Sequence, residues 1–467
     1  MLSLIWPFAQ ILPELFVPPG PSTELVLYYA SSHRIRGPLL RFIPPYPCYN
    51  FFMKSWSITS SAFLLNSSFL LPRAAVASPA TPSFVPALFV PTSSMSASRS
   101  GKRQKTTMAS SKRSEDNLAT SIPTVTLHTV DKSNKKTTID LPILGLGTYK
   151  FKKDSGQAKQ AVLDALSVGI RHIDTAFIYG GERTEREIGE ALSECTDVPR
   201  EEIFLTSKQW RAYHGYDLTK KCLDLSLKRL QTPYLDLWLI HWPGPAYNTM
   251  SRSNEVMQNS PEGPFVYAKD GHSEADMVAL RADTYRAMED SVFEGKCRAI
   301  GVSNFTVKHL EALRKTARIW PPAVNQIELH PYNPQKDIVE YCRKHGIVVE
   351  AYASLGGQDS GKKTWNKLGG KLIDREEIRT IAEKHGKSPS QVLLRWATQQ
   401  NFAVIPKTGN MDHMRDNIDA VIGDGWDNGG LGVEDMKHIA TLDQYETAED
   451  KARLCWVRDP LKHLEFD

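Results

Sequence analysis

Short apolar runs alternate with helical patterns from residue 141 onward, the rhythm that a parallel sheet with crossover helices requires. Strands are predicted near Gly145, Ile173, Leu205, Leu237, Ile300, Val324, Val348 and Val404. Helices are predicted at about residues 155–168, 184–194, 218–229, 284–294, 307–315, 336–345 and 388–398. Eight strands with helices between them predict an α/β fold, a (β/α)8 TIM barrel.

Two stretches break this rhythm. Residues 243–281 are rich in Ser, Asn, Pro and Gly and form too long a connection for an ordinary βα loop. This loop follows the fourth strand, so we expect it to lie over the active site. A second stretch, rich in Gly and Lys, lies between Leu355 and Leu372 and follows the seventh strand.

Polar residues end three consecutive predicted strands. Asp174 ends one strand and Tyr179 follows five residues later, Lys208 ends the next strand, and His241 follows the one after that. Singly, each has an ordinary explanation, such as a helix cap or a half-buried packing residue. In register at the carboxyl end of a barrel, where such enzymes keep their chemistry, the set favours catalysis.

The set suits carbonyl reduction, which needs an acid aimed at the carbonyl oxygen and a hydride carrier beside it. A phenol with a pKa of about 10 is a poor acid at neutral pH unless a cation stabilises its phenolate. We therefore assign Tyr179 as the acid, with Lys208, held by Asp174, lowering its pKa. His241 would orient the carbonyl oxygen or relay the proton.

The first 120 residues have a different composition. They hold 11 Lys and Arg against 4 Asp and Glu, which leaves 46 and 49 of the chain's 57 and 53 for the rest. No acidic residue occurs between Glu24 and Glu115, a composition typical of a transit peptide. We predict a disordered, removable leader (1–120) that directs the protein to a plastid or another organelle. A start at Met95 or Met108 would give a cytoplasmic form.

Composition also argues against several classes. The barrel region (121–467) carries a charge of −3 once the leader's +7 is removed, so nothing indicates a nucleic-acid surface. No run reaches the roughly 18 apolar residues of a membrane span. The six cysteines are scattered without metal-ligand spacing, and we expect neither disulfides nor a metal. No apolar stripe calls for a partner, so a monomer is expected.

Seven motifs in unbroken order, within roughly residues 121–460, resemble the aldo-keto reductase superfamily. They are Leu144 to Thr148, Asp174 to Tyr179, Leu205 to Lys208, Leu239 to Pro243, Ala299 to Phe305, Asn325 to Tyr332 and Ile405 to Lys407. The resemblance implies the same roles for Asp174, Tyr179, Lys208 and His241. It also implies that a hairpin, indicated here by the alternating runs 125–130 and 137–141, closes the bottom of the barrel.

The resemblance further implies a nicotinamide cofactor, NADPH with NADH as the other possibility. Ser303, Asn304 and Gln326 would hold the carboxamide, and Tyr352 would stack on the ring. The remaining cofactor positions are Gly147, Thr148, Ser354, Leu355, Lys407, Thr408, His413, Asp416 and Asn417. Of these, the resemblance implies that Lys407 and Thr408 bind the 2′-phosphate.

Two of these positions depart from the family pattern. His413 stands where members that prefer NADP usually carry Arg, and a neutral imidazole binds phosphate less well than a forked guanidinium. Ala353 follows Tyr352 where Ser is usual, so one pyrophosphate contact would be lost or shift to Ser354.

A small-molecule carbonyl compound is the expected substrate. Its pocket would be walled by Tyr149, Trp210, Trp242 and the tail residues Cys455 and Trp456, although aromatic residues at a barrel mouth can equally be plain packing. Two other functions stay open. Lys208 could form the Schiff base of a class I aldolase, or the chain could be a cofactor-sensing regulatory subunit with slow turnover.

Overall fold

A parallel eight-stranded sheet forms the centre of the molecule. The computed structural model describes residues 122–152, 154–247, 267–268, 273–357, 362–423, 425–426, 429–448 and 452–455. The sheet consists of β3 (Gly145–Gly147), β4 (His172–Asp174), β5 (Phe204–Gln209), β6 (Leu235–Ile240), β9 (Cys297–Ser303), β10 (Val324–Glu328), β11 (Val348–Tyr352) and β12 (Ala403–Val404). All eight predicted strands are present.

The sheet closes on itself. Neighbouring strands follow chain order from β3 to β12 and every pairing is parallel. The backbone N–H of Val404 donates to the carbonyl of Ile143 at 2.8 Å, and Leu144 pairs with Val404 in parallel. This seam joins the last strand to the first, so the predicted (β/α)8 barrel is confirmed.

Helices surround the barrel. They are α1 (Gln157–Ser167), α2 (Arg183–Glu194), α3 (Tyr216–Leu230), α4 (Glu274–Phe293), α5 (Val307–Arg314), α6 (Lys336–His345), α7 (Lys362–Lys367), α8 (Glu376–His385), α9 (Pro389–Thr398), α10 (Met411–Ile422) and α11 (Val433–Ala440). The seven predicted helices are among them, and the sequence analysis missed α7, α8, α10 and α11.

The predicted boundary of the long loop at residue 281 is wrong. Helix α4 begins at Glu274, where Ser273 and Asp276 form a capping box. The first turns of α4 bury Arg281 and Thr284 among apolar residues, which weakens the apolar periodicity on which the prediction depended. Within the loop, β7 (Ala246–Tyr247) pairs in parallel with β8 (Tyr267–Ala268). Residues 248–266 and 269–272 lie outside the described chain.

A hairpin covers the amino-terminal end of the barrel. Strands β1 (Thr124–Val130) and β2 (Lys136–Pro142) pair antiparallel along their whole length. Leu127 and Leu141 are fully buried in the main core. Thr129 Oγ1 donates to the carbonyl of Arg298, at the start of β9, at 3.2 Å. The predicted hairpin at the bottom of the barrel is therefore present.

The predicted leader, residues 1–120, lies outside the described residues. In the part of the chain that the structure covers, no helix is long and apolar enough to cross a membrane.

Candidate active site

A buried ion pair lies inside the barrel at the carboxyl ends of β4 and β5. Lys208 Nζ is 2.7 Å from both carboxylate oxygens of Asp174 and donates to the carbonyl of Thr175 at 2.8 Å. Both side chains are essentially inaccessible to solvent. Burial raises the pKa of Asp174, while Lys208 opposes that rise because it bonds to the ionised carboxylate.

Tyr179 lies above this ion pair in the short 3₁₀ turn Tyr179–Glu182. Its ring centroid is 5.2 Å from Lys208 Nζ and 5.8 Å from the His241 ring. Burial, followed by the charge of Asp174, raises its pKa well above the usual 10. The net shift of this pKa is therefore upward, opposite to the expected lowering, because burial outweighs the nearby ammonium of Lys208.

His241 follows β6 and is 8 % exposed. Burial, Lys208 and Arg211 lower its pKa well below 6.5, so the ring is neutral at physiological pH. Asn304 Nδ2 donates to its backbone carbonyl at 2.9 Å, and Nδ1 has no hydrogen-bond partner within the described residues. A neutral imidazole has one N–H donor and one acceptor nitrogen, so the ring can hydrogen-bond to a ligand.

Gln326 extends the polar network across the barrel. Its Nε2 donates to Asp174 Oδ2 at 2.9 Å and to Glu350 Oε2 at 2.6 Å. Glu350 is fully buried on β11, and its Oε1 is 3.6 Å from Nε2 of the equally buried His172. The sequence analysis missed Glu350; the available signal was a carboxylate within the otherwise apolar strand β11.

The structure brings Ser303, Asn304, Gln326 and Tyr352 together, as predicted for a nicotinamide site. Ser303 Oγ donates to the carbonyl of Gln326 at 2.8 Å, and the Tyr352 hydroxyl donates to Asn304 Oδ1 at 2.8 Å. Asn304 has a left-handed backbone (φ 62°), which Asn tolerates better than most residues. Both amide hydrogens of Gln326 face carboxyl groups, whereas no donor among the described residues reaches the Gln326 amide oxygen, Oε1. Gln326 Oε1 can therefore accept a hydrogen bond from the amide N–H of a ligand, so these residues suit the nicotinamide carboxamide.

Gly147 and Thr148 lie where β3 meets the chain after β12. Gly147 N–H donates to the carbonyl of Pro406, and a Cβ at Gly147 would stand 2.4 Å from the carbonyl oxygen of Ile405. Thr148 is buried and its hydroxyl donates to the backbone carbonyl of Asp174 at 2.9 Å. In the structure these two residues join β3 to its neighbours, and their cofactor contacts stay a prediction.

The predicted phosphate-binding residues surround the start of α10. Lys407 is exposed, with its Nζ 4.8 Å above the Phe151 ring. Thr408 Oγ1 and His413 Nδ1 are 3.5 Å apart. Arg415 forms an ion pair with Asp412 on the helix surface at 3.3 Å, which leaves His413 as the basic side chain beside Thr408.

The other predicted cofactor residues differ in exposure. Asp416 is exposed and Asn417 is buried on α10. Ser354 is buried and its hydroxyl donates to the carbonyl of Ala351 at 3.0 Å, so it faces the protein. Leu355 is partly buried against the core.

Aromatic side chains surround Tyr179 and His241. The Tyr149 ring, 44 % exposed, is 5.0 Å from that of Tyr179. The Trp210 ring is 6.0 Å from that of His241, and Trp242 is buried beside it. These positions suit a substrate pocket, while the predicted wall residue Trp456 lies outside the described chain.

Glu328, which the sequence analysis did not single out, holds the carboxyl-terminal segment. Its carboxylate accepts from the backbone N–H groups of Leu454 and Cys455 and from His330 Nε2. A cavity next to this contact is lined by Trp242, Asn304, Tyr352 and Arg453. The tail segment therefore forms one wall of the space beside the proposed nicotinamide site.

The described residues contain no cluster of His, Cys, Asp and Glu placed to hold a metal ion. None of the five cysteines among these residues forms a disulfide.

Comparisons with known proteins agree with this geometry. The model of the aldo/keto reductase family matches residues 143–422. Aldo-keto reductase family 1 member A1 of Xenopus tropicalis is 36% identical over 332 residues, which cover 70% of this chain and 90% of that protein. The glyoxal reductase of Bacillus subtilis is 38% identical over 308 residues, 66% of this chain and 91% of the enzyme.

Solved structures are similar as well. An aldo/keto reductase from Brucella melitensis is 34% identical with a TM-score of 0.53, covering 69% of this chain and 98% of that one. An aldo-keto reductase from Bombyx mori in complex with NADP is 28% identical with a TM-score of 0.55, covering 72% and 95%. This chain is an oxidoreductase that belongs to the aldo/keto reductase family.

Proposed function

We propose that the enzyme reduces aldehydes and ketones, open-chain sugars among them, to alcohols with NADPH. The observation that carries the proposal is the position of Tyr179 and neutral His241 above the buried Lys208–Asp174 pair. The bound nicotinamide supplies the hydride. The name of the glyoxal reductase from Bacillus subtilis supports a small aldehyde as substrate.

Tyr179 acts as the acid in this proposal even though its pKa is raised. Once a carbonyl carbon accepts a hydride its oxygen becomes an alkoxide, a far stronger base than a phenolate, so the phenol protonates it. A raised pKa also keeps the phenol protonated between turnovers. Lys208 supplies positive charge within 5.2 Å of the ring as the phenolate forms.

His241 orients the substrate. Its ring lies edge-on to Tyr179 and is held in place through its backbone by Asn304. A neutral imidazole N–H can donate to the carbonyl oxygen without competing as a proton source. Tyr179 and His241 would therefore bind the same substrate oxygen from two sides.

NADPH is proposed over NADH because Lys407, Thr408 and His413 gather near the start of α10. A lysine, a hydroxyl and a helix N-terminus suit a phosphate. The backbone N–H groups of the first turn are partly taken, since Asn410 Oδ1 accepts from Asp412 and His413. The preference therefore depends on the side chains more than on the helix.

The geometry disfavours the aldolase alternative. A Schiff base needs a neutral amine, and Lys208 forms three short hydrogen bonds, two of them to a carboxylate. These bonds use all three N–H groups that the nitrogen can donate, so no lone pair is left to attack a carbonyl carbon. A regulatory subunit with slow turnover would keep the same cofactor residues, and only a rate measurement separates it from a reductase.

The test is NADPH consumption by the purified full-length protein with a panel of small aldehydes, ketones and open-chain sugars. We expect turnover faster with NADPH than with NADH, with kcat of about 1 s⁻¹ or more, the lower end for typical enzymes. Cofactor binding without consumption for any carbonyl would overturn the reductase proposal and support the regulatory alternative.

A further inference from the structure

Two carboxyl groups share the interior of the barrel with one ammonium group. Asp174 bonds to Lys208 through both oxygens. Glu350 lies on β11, the strand next to that of Gln326. Among the described residues no cation lies within hydrogen-bond distance of its carboxyl group, and its Oε1 has no donor. The mechanism above uses Asp174 and Lys208 but gives Glu350 no role.

One amide joins the two carboxyl groups. Gln326 Nε2 donates to Asp174 Oδ2 and to Glu350 Oε2 at 2.9 and 2.6 Å. Because the ionised Asp174 carboxylate only accepts, the atom of Gln326 that faces it must be the nitrogen, and the same nitrogen faces Glu350. Its Oε1 is thereby turned away from the network. A flipped amide would place its oxygen against the Asp174 carboxylate, so Asp174 fixes the orientation of this amide.

We propose that Glu350 is a positioning residue: it holds the Gln326 amide against Asp174 and so fixes Gln326 Oε1 as the acceptor that the site offers to the nicotinamide cofactor. The inference rests on the proposed function in taking a nicotinamide as the cofactor. It does not depend on the identity of the substrate or on Tyr179 as the acid.

The charges around Glu350 indicate its protonation state. Asp174 faces it through Gln326, and Lys208 lies beyond Asp174. On its other side His172 is neutral, because burial lowers its pKa to about 3. Burial, followed by the charge of Asp174, raises the pKa of Glu350 to about 8. Glu350 therefore carries a proton at neutral pH, and the interior charges of Lys208 and Asp174 cancel.

Ionisation of Glu350 would have a directional effect on cofactor affinity. It adds one negative charge to the barrel interior, which favours a positively charged ligand over a neutral one. The nicotinamide ring is positive in NADP⁺ and neutral in NADPH. As pH rises through about 8, the wild-type protein should gain affinity for NADP⁺ relative to NADPH.

The experiment measures the Kd of NADPH and of NADP⁺, by fluorescence quenching, for the full-length protein from pH 6 to pH 9. Glu350→Leu removes the acceptor, so Gln326 is released and the Kd for NADPH should rise roughly tenfold, the effect of losing about one hydrogen bond. Glu350→Gln keeps a neutral acceptor for Gln326, so its Kd for NADPH should stay within about threefold of the wild-type value. Because this variant cannot ionise, the ratio of its Kd for NADP⁺ to its Kd for NADPH should not change at high pH.

Glu185→Gln is the matched control. Glu185 is also fully buried with its pKa raised by burial, but it accepts from Ser207 and faces Arg229 instead of the network. Its substitution should leave both Kd values and their pH dependence unchanged.

Infrared difference spectra add a readout that needs no cofactor: a protonated carboxyl band present at pH 7 should vanish in Glu350→Gln and remain in Glu185→Gln.

A folded Glu350→Leu protein with wild-type Kd values would overturn the proposal, as would a pH-dependent Kd ratio that survives in Glu350→Gln. If Glu350→Leu fails to fold, Glu350→Asp, which withdraws the carboxyl group by one methylene, carries the same expectation. Failure of the proposed function looks different, because the wild type would then bind cofactor without consuming it while the effects of Glu350 substitutions on Kd persist.

Discussion

The phenol of Tyr179 combines two properties that a proton donor needs. Its pKa lies well above 10, so it stays protonated at any physiological pH. Lys208 Nζ lies 5.2 Å from the ring, near enough to stabilise negative charge that forms later. The residue is therefore inert in the resting protein and becomes an acid only when a strong base forms beside it.

Tyr179→Phe removes the donated proton and leaves the ring in place. We expect kcat to fall by a factor on the order of 10² to 10⁴, the usual contribution of a general acid, with little change in the Kd for NADPH. Steady-state rates and cofactor titration measure the two effects. Tyr216→Phe is the control, since the Tyr216 hydroxyl donates to Asp290 on α4, away from the site. Full turnover in Tyr179→Phe would contradict its assignment as the acid.

His413→Arg tests the phosphate site. His413 Nδ1 lies 3.5 Å from Thr408 Oγ1, and a guanidinium there could bond a phosphate with two parallel N–H groups. The Kd for NADPH should fall about fivefold, equivalent to roughly 1 kcal/mol, and that for NADH should not change. Arg415→Lys, on the same helix but paired with Asp412, is the control. An equal gain for both cofactors would place the phosphate elsewhere.

At the scale of elements, the weakest closure of the barrel is the seam between β3 and β12. Only two residues form β12, and the seam depends on the bond from Val404 to Ile143 and that from Gly147 to Pro406. The close approach of the two segments leaves no room for a side chain at Gly147. Cofactor residues lie on both sides of this seam, so its closure positions them.

Gly147→Ala should weaken the seam, because the new Cβ would stand 2.4 Å from the carbonyl oxygen of Ile405. We expect the free energy of unfolding in urea to fall by about 1–3 kcal/mol, the usual cost of overpacking. Gly409→Ala is the control, since its Cβ would meet the Phe151 ring at an ordinary 3.6 Å. Equal stability of the two variants would contradict this expectation and show that β3 and β12 can move apart at the seam without loss of stability.

For the whole molecule, buried titratable groups predict an optimum of stability with pH. The pKa values of His172, His214 and His309 are each lowered to about 3 by burial. Between pH 3 and 6.5 the unfolded chain binds more protons at these residues, so stability falls on acidification. Glu350 has the opposite effect, because its pKa is raised to about 8 in the folded protein. Between pH 4.5 and 8 the folded chain holds the extra proton, so stability falls as pH rises.

Below pH 6.5 these histidines, together with His241, whose pKa burial also lowers, outweigh Glu350. Above pH 6.5 the histidines are neutral in both states, and the raised pKa of Glu350 makes the stability fall. The free energy of unfolding should therefore be highest near pH 6.5 and fall towards pH 8 by about 1.4 kcal/mol per pH unit at most. Urea unfolding at several pH values measures this. Glu350→Gln should remove the alkaline decline and keep the acid one; a decline that remains would assign it to other groups.

Secondary structure and the order of site residues could be predicted because their signals are local. Alternating apolar runs identified all eight barrel strands, and strand-end residues identified Asp174, Lys208 and His241. Helix α4 shows where local signals fail: burial of Arg281 and Thr284 on an inner face hides its apolar period, so its start was placed in the wrong position.

By itself the sequence determined the barrel and the family of the protein, because strand periodicity and the order of the motifs do not depend on distant contacts. Tertiary structure decided the charge states. Burial, followed by the charge of Asp174, makes the Tyr179 pKa rise instead of falling. Glu350 comes within reach of Gln326 only when β10 and β11 pair in register. A pKa depends on burial and on neighbours distant in sequence, and neither exists until the barrel closes.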